Sequence, residues 1–381
     1  MESLTLEQLQ DNVRGEEFAL ARINVTYQAG GGPGSKVFPP TFPMSGNDAS
    51  PYLFEERVRD GEQRKAVLLD QIPSEANRAE TALRQAWAAG FIRVPMLRLT
   101  HHGAADAVIT GLDAPHRVFD AYWRDSLLDG VKFDKTMLGR ALQSADLDNA
   151  AAVLKHDPGS LVYGSWNSHR TGRQAKFPRV YASEIVGWDP IEGSRKAGRM
   201  DPLNLVGSRK GEGDEWTYSA SGEKTVKGKL SEIGHGNIAP NPAHGGVTIT
   251  SATRMATLSL GALVRLGFGS ASAEQQLASR VLLAAYALLG DRLAFGGPGL
   301  WLRSGCELVV EDEKLEWVGR GGLTKSFRLN ADEAIALYNS ALDAALAAGV
   351  GLELEPIELT PSPALGKAID FSLTKAEVAG E

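Results

Sequence analysis

Leu6, Leu9 and Val13 repeat at the spacing of one helix face, and Thr5 with Gln8 three residues on forms a capping box, so the pattern predicts a short opening helix. Residues 17–27 are rich in β-branched and aromatic side chains and predict a strand. From 28 to 51, glycine and proline break every period and no regular element fits. Residues 65–72 are an apolar run of buried-strand type. After Pro73 a helix is expected over 74–89, with Ser74 as its cap, Ala76, Ala79, Leu83 and Ala86 on its apolar face, and Gly90 at its end. Residues 91–99 return as a strand, with Pro95 marking an edge or a bulge. Residues 116–130 are amphipathic through Val118, Phe119, Tyr122, Trp123 and Leu127.

Residues 159–246 hold few apolar runs and read as strands carrying long excursions. Strand character returns through Val247, Ile249, Leu258, Leu260 and Leu263. A helix over 273–289 follows, then a strand around 300–310. A helix over 331–349 has Asn330 as cap and Ile335, Tyr338, Leu342 and Ala345 inward; 351–359 alternates as a strand, and the tail reads as frayed. No internal repeat is present. The succession of strand, helix, strand, excursion, strand, helix, strand predicts an α+β fold with a ferredoxin-like (split βαβ) sheet and large insertions. A doubly wound parallel sheet needs a more regular alternation.

Composition narrows the class. At roughly 150 residues per domain, 381 residues make one elaborated domain or two. The single cysteine, Cys306, excludes a disulfide framework and any site built on paired thiolates, and it lies in an apolar strand where a small buried residue is the expected role. Residues 1–18 place acids early and carry no apolar segment of the signal-peptide kind, and the longest apolar run, 281–290, is too short to span a bilayer. A soluble, cytoplasmic protein without membrane contact is expected.

The net charge is -7, yet residues 169–210 carry nine Lys/Arg against four Asp/Glu. A basic island in an acidic chain points to a local anionic partner. Its densest part holds Arg170, Arg173, Lys176 and Arg179 at a spacing of three with no acid among them. A helix spreads these charges over half its circumference, and a strand divides them between two faces. An irregular or hairpin segment can turn all four toward one target, at a pitch of roughly 10 Å in extended chain. Trp166 and Phe177 offer stacking planes; Asn167, Ser168, His169 and Gln174 offer hydrogen bonds to sugar or phosphate. The bland alternative is a solvated loop with Trp166 in the core. A second basic group, Arg195, Lys196, Arg199, Arg209 and Lys210, weighs against it.

Further candidates are weaker. Asn77 and Arg78 lie in the first turn of the 74–89 helix, where unpaired N–H groups favour phosphate, although ordinary capping with Arg78 paired to an acid is the plainer reading. His235, Asn237 and His244 lie in a Gly/Asn/Pro loop over 234–246 able to approach a ligand closely. His101, His102, Asp106 and His116 are a weaker metal candidate, because adjacent histidines in a strand face opposite ways and cannot share one ion without a kink. HExxH, GxSxG and Walker A sequences are missing. No cofactor and no catalytic residue is expected.

Three segments, SEANRAETAL, GSWNSHRTGRQAKFPRVYASEIVGWDP and GHGNIAPNP with GGVTITSATRMATLSLGALVRL, together resemble the RAMP-superfamily backbone subunit (the Cas-seven role) of the type I-G, formerly I-U, CRISPR Cascade complex. The resemblance covers about 74–89 and 161–310. It implies one elaborated domain over 1–381: an RRM-like palm from about 15–100 and 246–360, with insertions at about 28–60 and 101–245 forming fingers and thumb. The 187–234 excursion is the favoured thumb. It also implies copies stacked head to tail along a guide RNA, bases left free to pair with a target DNA strand, other Cascade subunits as neighbours, and no cleavage. The aspartate with which related type III subunits cut RNA has no match here. The rivals are a RAMP-type endoribonuclease using His169 or His235 as base, and a metal-dependent hydrolase using His101 and Asp106.

Overall fold

Strand-forming segments far apart in the chain meet in one antiparallel sheet. In the computed structural model, which describes residues 2–46, 49–167, 176–210, 216–219 and 228–380, its strands are β1 (Phe18–Ala29), β2 (Phe54–Arg59), β3 (Glu62–Asp70), β4 (Tyr181–Trp188), β5 (Ala252–Ser259), β6 (Gly299–Arg303), β7 (Cys306–Gly319) and β8 (Thr324–Phe327). Their order is β6–β7–β1–β5–β4–β3–β2, with β8 also on β7. All neighbours are antiparallel. The middle four run β7–β1–β5–β4. Helix α2 (Ile72–Ala88) falls between β1 and β4 in the chain, and α3 (Ala273–Phe295) between β5 and β7. The fold is thus mixed α+β.

Period-2 alternation explains the layers. In β1, Phe18, Ala21, Ile23, Val25, Tyr27 and Ala29 are buried, while Arg22, Asn24, Thr26 and Gln28 face the other way and are half-exposed. The buried face carries α2 and α3, flanked by α1 (Leu6–Arg14) and α4 (Ala331–Ala347). Helix α3 is buried on all sides from 281 to 289, the signature of a helix enclosed by other elements.

Ions sit inside this core. Arg254 of β5, fully buried, donates to Glu75 of α2 (2.7 Å) and to Asp291 of α3 (2.7 Å), with its guanidinium 3.6 Å from the Phe295 ring centroid. Arg292 pairs with Asp291 and with Glu313 of β7. The network ties both helices to the sheet, and each partner is needed because a lone buried charge is costly.

Several expectations change. Strand β4 is central although it lies inside the expected 101–245 insertion, and β2 lies inside the expected 28–60 insertion. Asp60 and Gly61, both at positive φ, make the two-residue β2–β3 turn. The cap of α2 is Gln71 rather than Ser74, because Pro73 fits the first turn. Residues 116–130 break into a turn (Arg117–Phe119), a short helix (Ala121–Arg124) and a strand (Ser126–Leu128), since the Asp120 carboxylate accepts from the N–H groups of His116 and Tyr122. Leu260 and Leu263 belong to a helical turn that Ser259 caps. Residues 91–96 are not strand; Leu97–His101 instead joins a second sheet with Ala107–Thr110, Ile357–Pro361, Ser126–Leu128 and Val131–Lys132. The tail is a helix, Pro363–Gly380. Among the described residues no helix is long and apolar enough to cross a membrane.

Candidate nucleic-acid interface

The basic stretch is rooted in a hairpin. Ser165–Trp166 pairs with Lys176–Phe177, and the Val180 N–H donates to the Val162 carbonyl below them. A buried arginine holds this root. Arg117 donates from Nε and Nη2 to the two Glu80 oxygens (2.6 and 3.0 Å) and from Nη1 to the Gly164 carbonyl (2.8 Å). Gly164 has φ +83, and a Cβ there would press on Arg179 and the Phe177 carbonyl. Burial pushes the Glu80 carboxyl up to about 7 against the pull of Arg117.

The side chains divide at this root. Phe177, expected beside Trp166 on nucleic acid, is buried and stacks on Phe119 (6.3 Å, 10°); its ring anchors the hairpin. Trp166 is 51% exposed rather than in the core, with Lys176 Nζ 5.9 Å from its ring centroid. Lys176 and Arg179 are exposed and have no acidic partner among the described residues. Burial of part of its chain and the nearby Arg117 charge lower the Arg179 pKa. Ser168, His169, Arg170, Arg173 and Gln174 lie outside the described residues.

A second basic surface forms on the other flank of α2. Asp70 receives Arg78 (2.6 Å) and lies 3.7 Å from Arg303. Arg303 donates to the Phe38 carbonyl, and Arg195 lies 5.5 Å over the Phe38 ring. Arg78 is therefore paired to an acid and also donates to the Leu302 carbonyl, while Asn77 lines an open groove beside Trp301. Arg303 and Arg117 were not anticipated, because each is a lone cation whose partners come from distant segments.

The second basic group occupies a ribbon of Ile191–Arg199 and Ile238–Thr248, capped by short strands at Ser208–Lys210, Thr217–Ser219 and Gly228–Lys229. The expected 234–246 loop is thus mostly strand; Pro240 and Pro242 are tolerated where the strand has one neighbour. Arg195 and Lys196 are exposed, whereas Arg199 pairs with Asp201 and Arg209 with Glu232, each at 3.7 Å. Asn237 is committed to the ribbon's end: its carbonyl accepts from the Asp201 N–H and its amide donates to Asn204. His235 is exposed near Trp216 (5.8 Å), and His244 lies 6.0 Å from Tyr52.

The enzyme candidates scatter. His101 bonds Asp370 (2.8 Å) and His102 bonds Asp106 (3.0 Å), while His116 is exposed. Among the described residues no three His, Cys, Asp or Glu side chains converge as a metal site. Burial pushes the Cys306 thiol up to about 11.

With this geometry in place, similarity to known proteins becomes informative. Residues 21–191 match the family described as CRISPR-associated protein GSU0053. The matched segment, less than half of the chain, runs from within β1 past β4 and includes both strands of the hairpin, a similarity to a CRISPR-associated protein family. No curated protein matches the chain.

Proposed function

We propose that the chain is a guide-RNA-binding backbone subunit of a type I-G CRISPR surveillance complex. On this reading the middle four strands with α2 and α3 are an RRM-like palm, and the 191–248 ribbon with its cap is the thumb. The spatial order β7–β1–β5–β4, with a helix after the first and third strands in the chain, supports the palm. Successive copies stack along one RNA, its bases stay available to a target DNA strand, and other Cascade subunits close the ends in the cytoplasm.

The observation that carries this reading is the anchored hairpin. A buried Arg117–Glu80 pair fixes a root from which Lys176, Arg179 and Trp166 face solvent, with no acidic partner for the two cations among the described residues. Cations near an aromatic plane hold a strand by phosphate and stacking, without reading base edges. The chain itself catalyses nothing on this reading. Nuclease protection of a repeat–spacer RNA titrated with purified protein tests it: protected fragments are expected to lengthen in equal steps. Absence of protection overturns the proposal. Defined cleavage products lost in His169→Ala or His235→Ala establish the endoribonuclease instead.

A further inference from the structure

The contact between the sheet and its helices buries more acid than base. At 2% exposure or less it holds Asp70 at the end of β3, Glu75 in the first turn of α2 and Asp291 of α3, against Arg254 of β5 and Arg292 of α3. Three carboxyl groups thus meet two guanidinium groups. Arg78, Arg303 and Glu313 pair with this set from its rim, where their side chains are 26–31% exposed and water screens them. The donors around Glu75 are one-sided. Its Oε2 accepts from Arg254 Nε (2.7 Å) and from Ser183 Oγ (2.9 Å). Its Oε1 is buried and receives no hydrogen bond among the described residues, while the Asp70 side chain lies within hydrogen-bonding reach of the Glu75 carboxyl. Asp70 is held from the other side by Arg78 Nε at 2.6 Å, with Arg303 3.7 Å away.

We propose that Glu75 is a protonated carboxylic acid in the folded protein, that it donates this proton from Oε1 to Asp70, and that the shared proton makes the seat of α2 a pH-sensitive switch. Two ionised carboxylates in contact inside a core repel, so one of them keeps a proton. With that proton the five buried groups carry no net charge; without it they carry one uncompensated negative charge, which a low-dielectric interior opposes. Glu75 is the one that keeps it, because its arginine, Arg254, is shared with Asp291. Burial pushes the Glu75 carboxyl up to about 7 against the pull of Arg254, and the Asp70 charge adds to the rise. Tyr27 of β1 and Tyr181 of β4 also face the cluster and stay neutral, since burial pushes both hydroxyls up. The folded pKa of Glu75 lies above the unfolded one. The stability that the proton contributes is therefore fully present below the unfolded pKa and lost as pH rises through about 7. Above that pH two carboxylates meet where α2 joins the sheet, and the helix is held less tightly. The switch lies inside the molecule, so its success or failure leaves the RNA reading untouched.

Infrared spectra of the full-length protein test the proposal. At pH 6 wild type is expected to show the carbonyl band of a protonated carboxyl that Glu75→Gln lacks, and the difference spectrum separates it from Glu80, which both proteins keep. The band should fade as pH rises through about 7. Asp70→Asn should lose the same band at pH 6, because the buried set is then neutral with Glu75 ionised; this comparison does not depend on Glu75→Gln folding. Urea unfolding gives a second reading. Glutamine keeps both a donor and an acceptor, so wild type and Glu75→Gln are expected to unfold within a few-fold of each other at pH 5. From there the wild-type unfolding constant should climb about 10-fold per pH unit relative to the variant's, and level off above pH 7. A difference spectrum without the band at pH 6, a band that Asp70→Asn retains, or pH profiles that run parallel for wild type and Glu75→Gln each overturn the proposal.

Discussion

Replacing Arg117 by methionine removes the guanidinium and keeps most of the side-chain length. Arg117 is 8% exposed and Glu80 3%, so water does not replace the lost partner. Three hydrogen bonds go, two from Glu80 and one from the Gly164 carbonyl. At roughly 1 kcal/mol each the loss is about 3 kcal/mol, the lower end for breaking a buried ion pair. A pH-dependent part adds to it. Burial holds the Glu80 carboxyl at about 7 in the fold despite Arg117, above its unfolded value, so its contribution is fully present below the unfolded pKa and lost as pH rises through 7. Without Arg117 the carboxyl rises further. Wild-type Glu80 then ionises above pH 7 where the variant's does not, and the deficit widens by about 1.4 kcal/mol per pH unit. Urea unfolding followed by tryptophan fluorescence at pH 6 and pH 8 measures both parts. The double variant Glu80→Gln/Arg117→Met should recover at least about 1 kcal/mol, because no buried carboxylate is stranded. It should still bind RNA more weakly than wild type, since Gly164 has lost its tether. A deficit under about 1 kcal/mol at both pH values, or a double variant no better than the single, refutes the anchor.

Other expectations follow from the same geometry. Trp166→Ala should weaken single-strand binding by about 1–3 kcal/mol without moving the unfolding midpoint, as stacking on an exposed ring requires. Gly290→Ala places a Cβ against the Tyr163 hydroxyl and should cost about 1–3 kcal/mol in unfolding, with Tyr163→Phe relieving part of it. Asp291 is buried, which raises its pKa, but Arg254 and Arg292 outweigh that and hold it at about 2. Its contribution is present above the unfolded pKa and lost as pH falls through 2, so the Asp291→Asn deficit of about 2–3 kcal/mol at pH 7 should shrink in acid unfolding.

What the sequence made legible was local. The Thr5–Gln8 capping box, the Asn330 cap, the apolar face of α2 and the alternation of β1 each depend on residues a few positions apart, and each is present. The Asp60–Gly61 turn was equally local and was overlooked because charged residues flank it. Features assembled from distance were hidden. Nothing in residues 116–130 says that Arg117 reaches Glu80 and Gly164, or that Arg254 meets Glu75 and Asp291 in the core. Glycine and proline over 234–246 read as a loop because the strand opposite, Ile191–Arg199, supplies the hydrogen bonds that their own propensity does not. In the basic stretch the acid-free charges and Trp166 were visible from spacing, whereas the burial of Phe177 depends on Phe119, fifty-eight positions earlier.

The most direct measurement is the salt dependence of single-stranded RNA binding by wild type and by the variant with Arg170, Arg173, Lys176 and Arg179 changed to alanine. Each phosphate neutralised contributes a slope of about -0.7, so the variant's plot should be shallower by roughly 2–3 units. Identical slopes for the two proteins would mean that the hairpin touches no phosphate, and the account of this chain as a guide-RNA-binding subunit would be contradicted at its base.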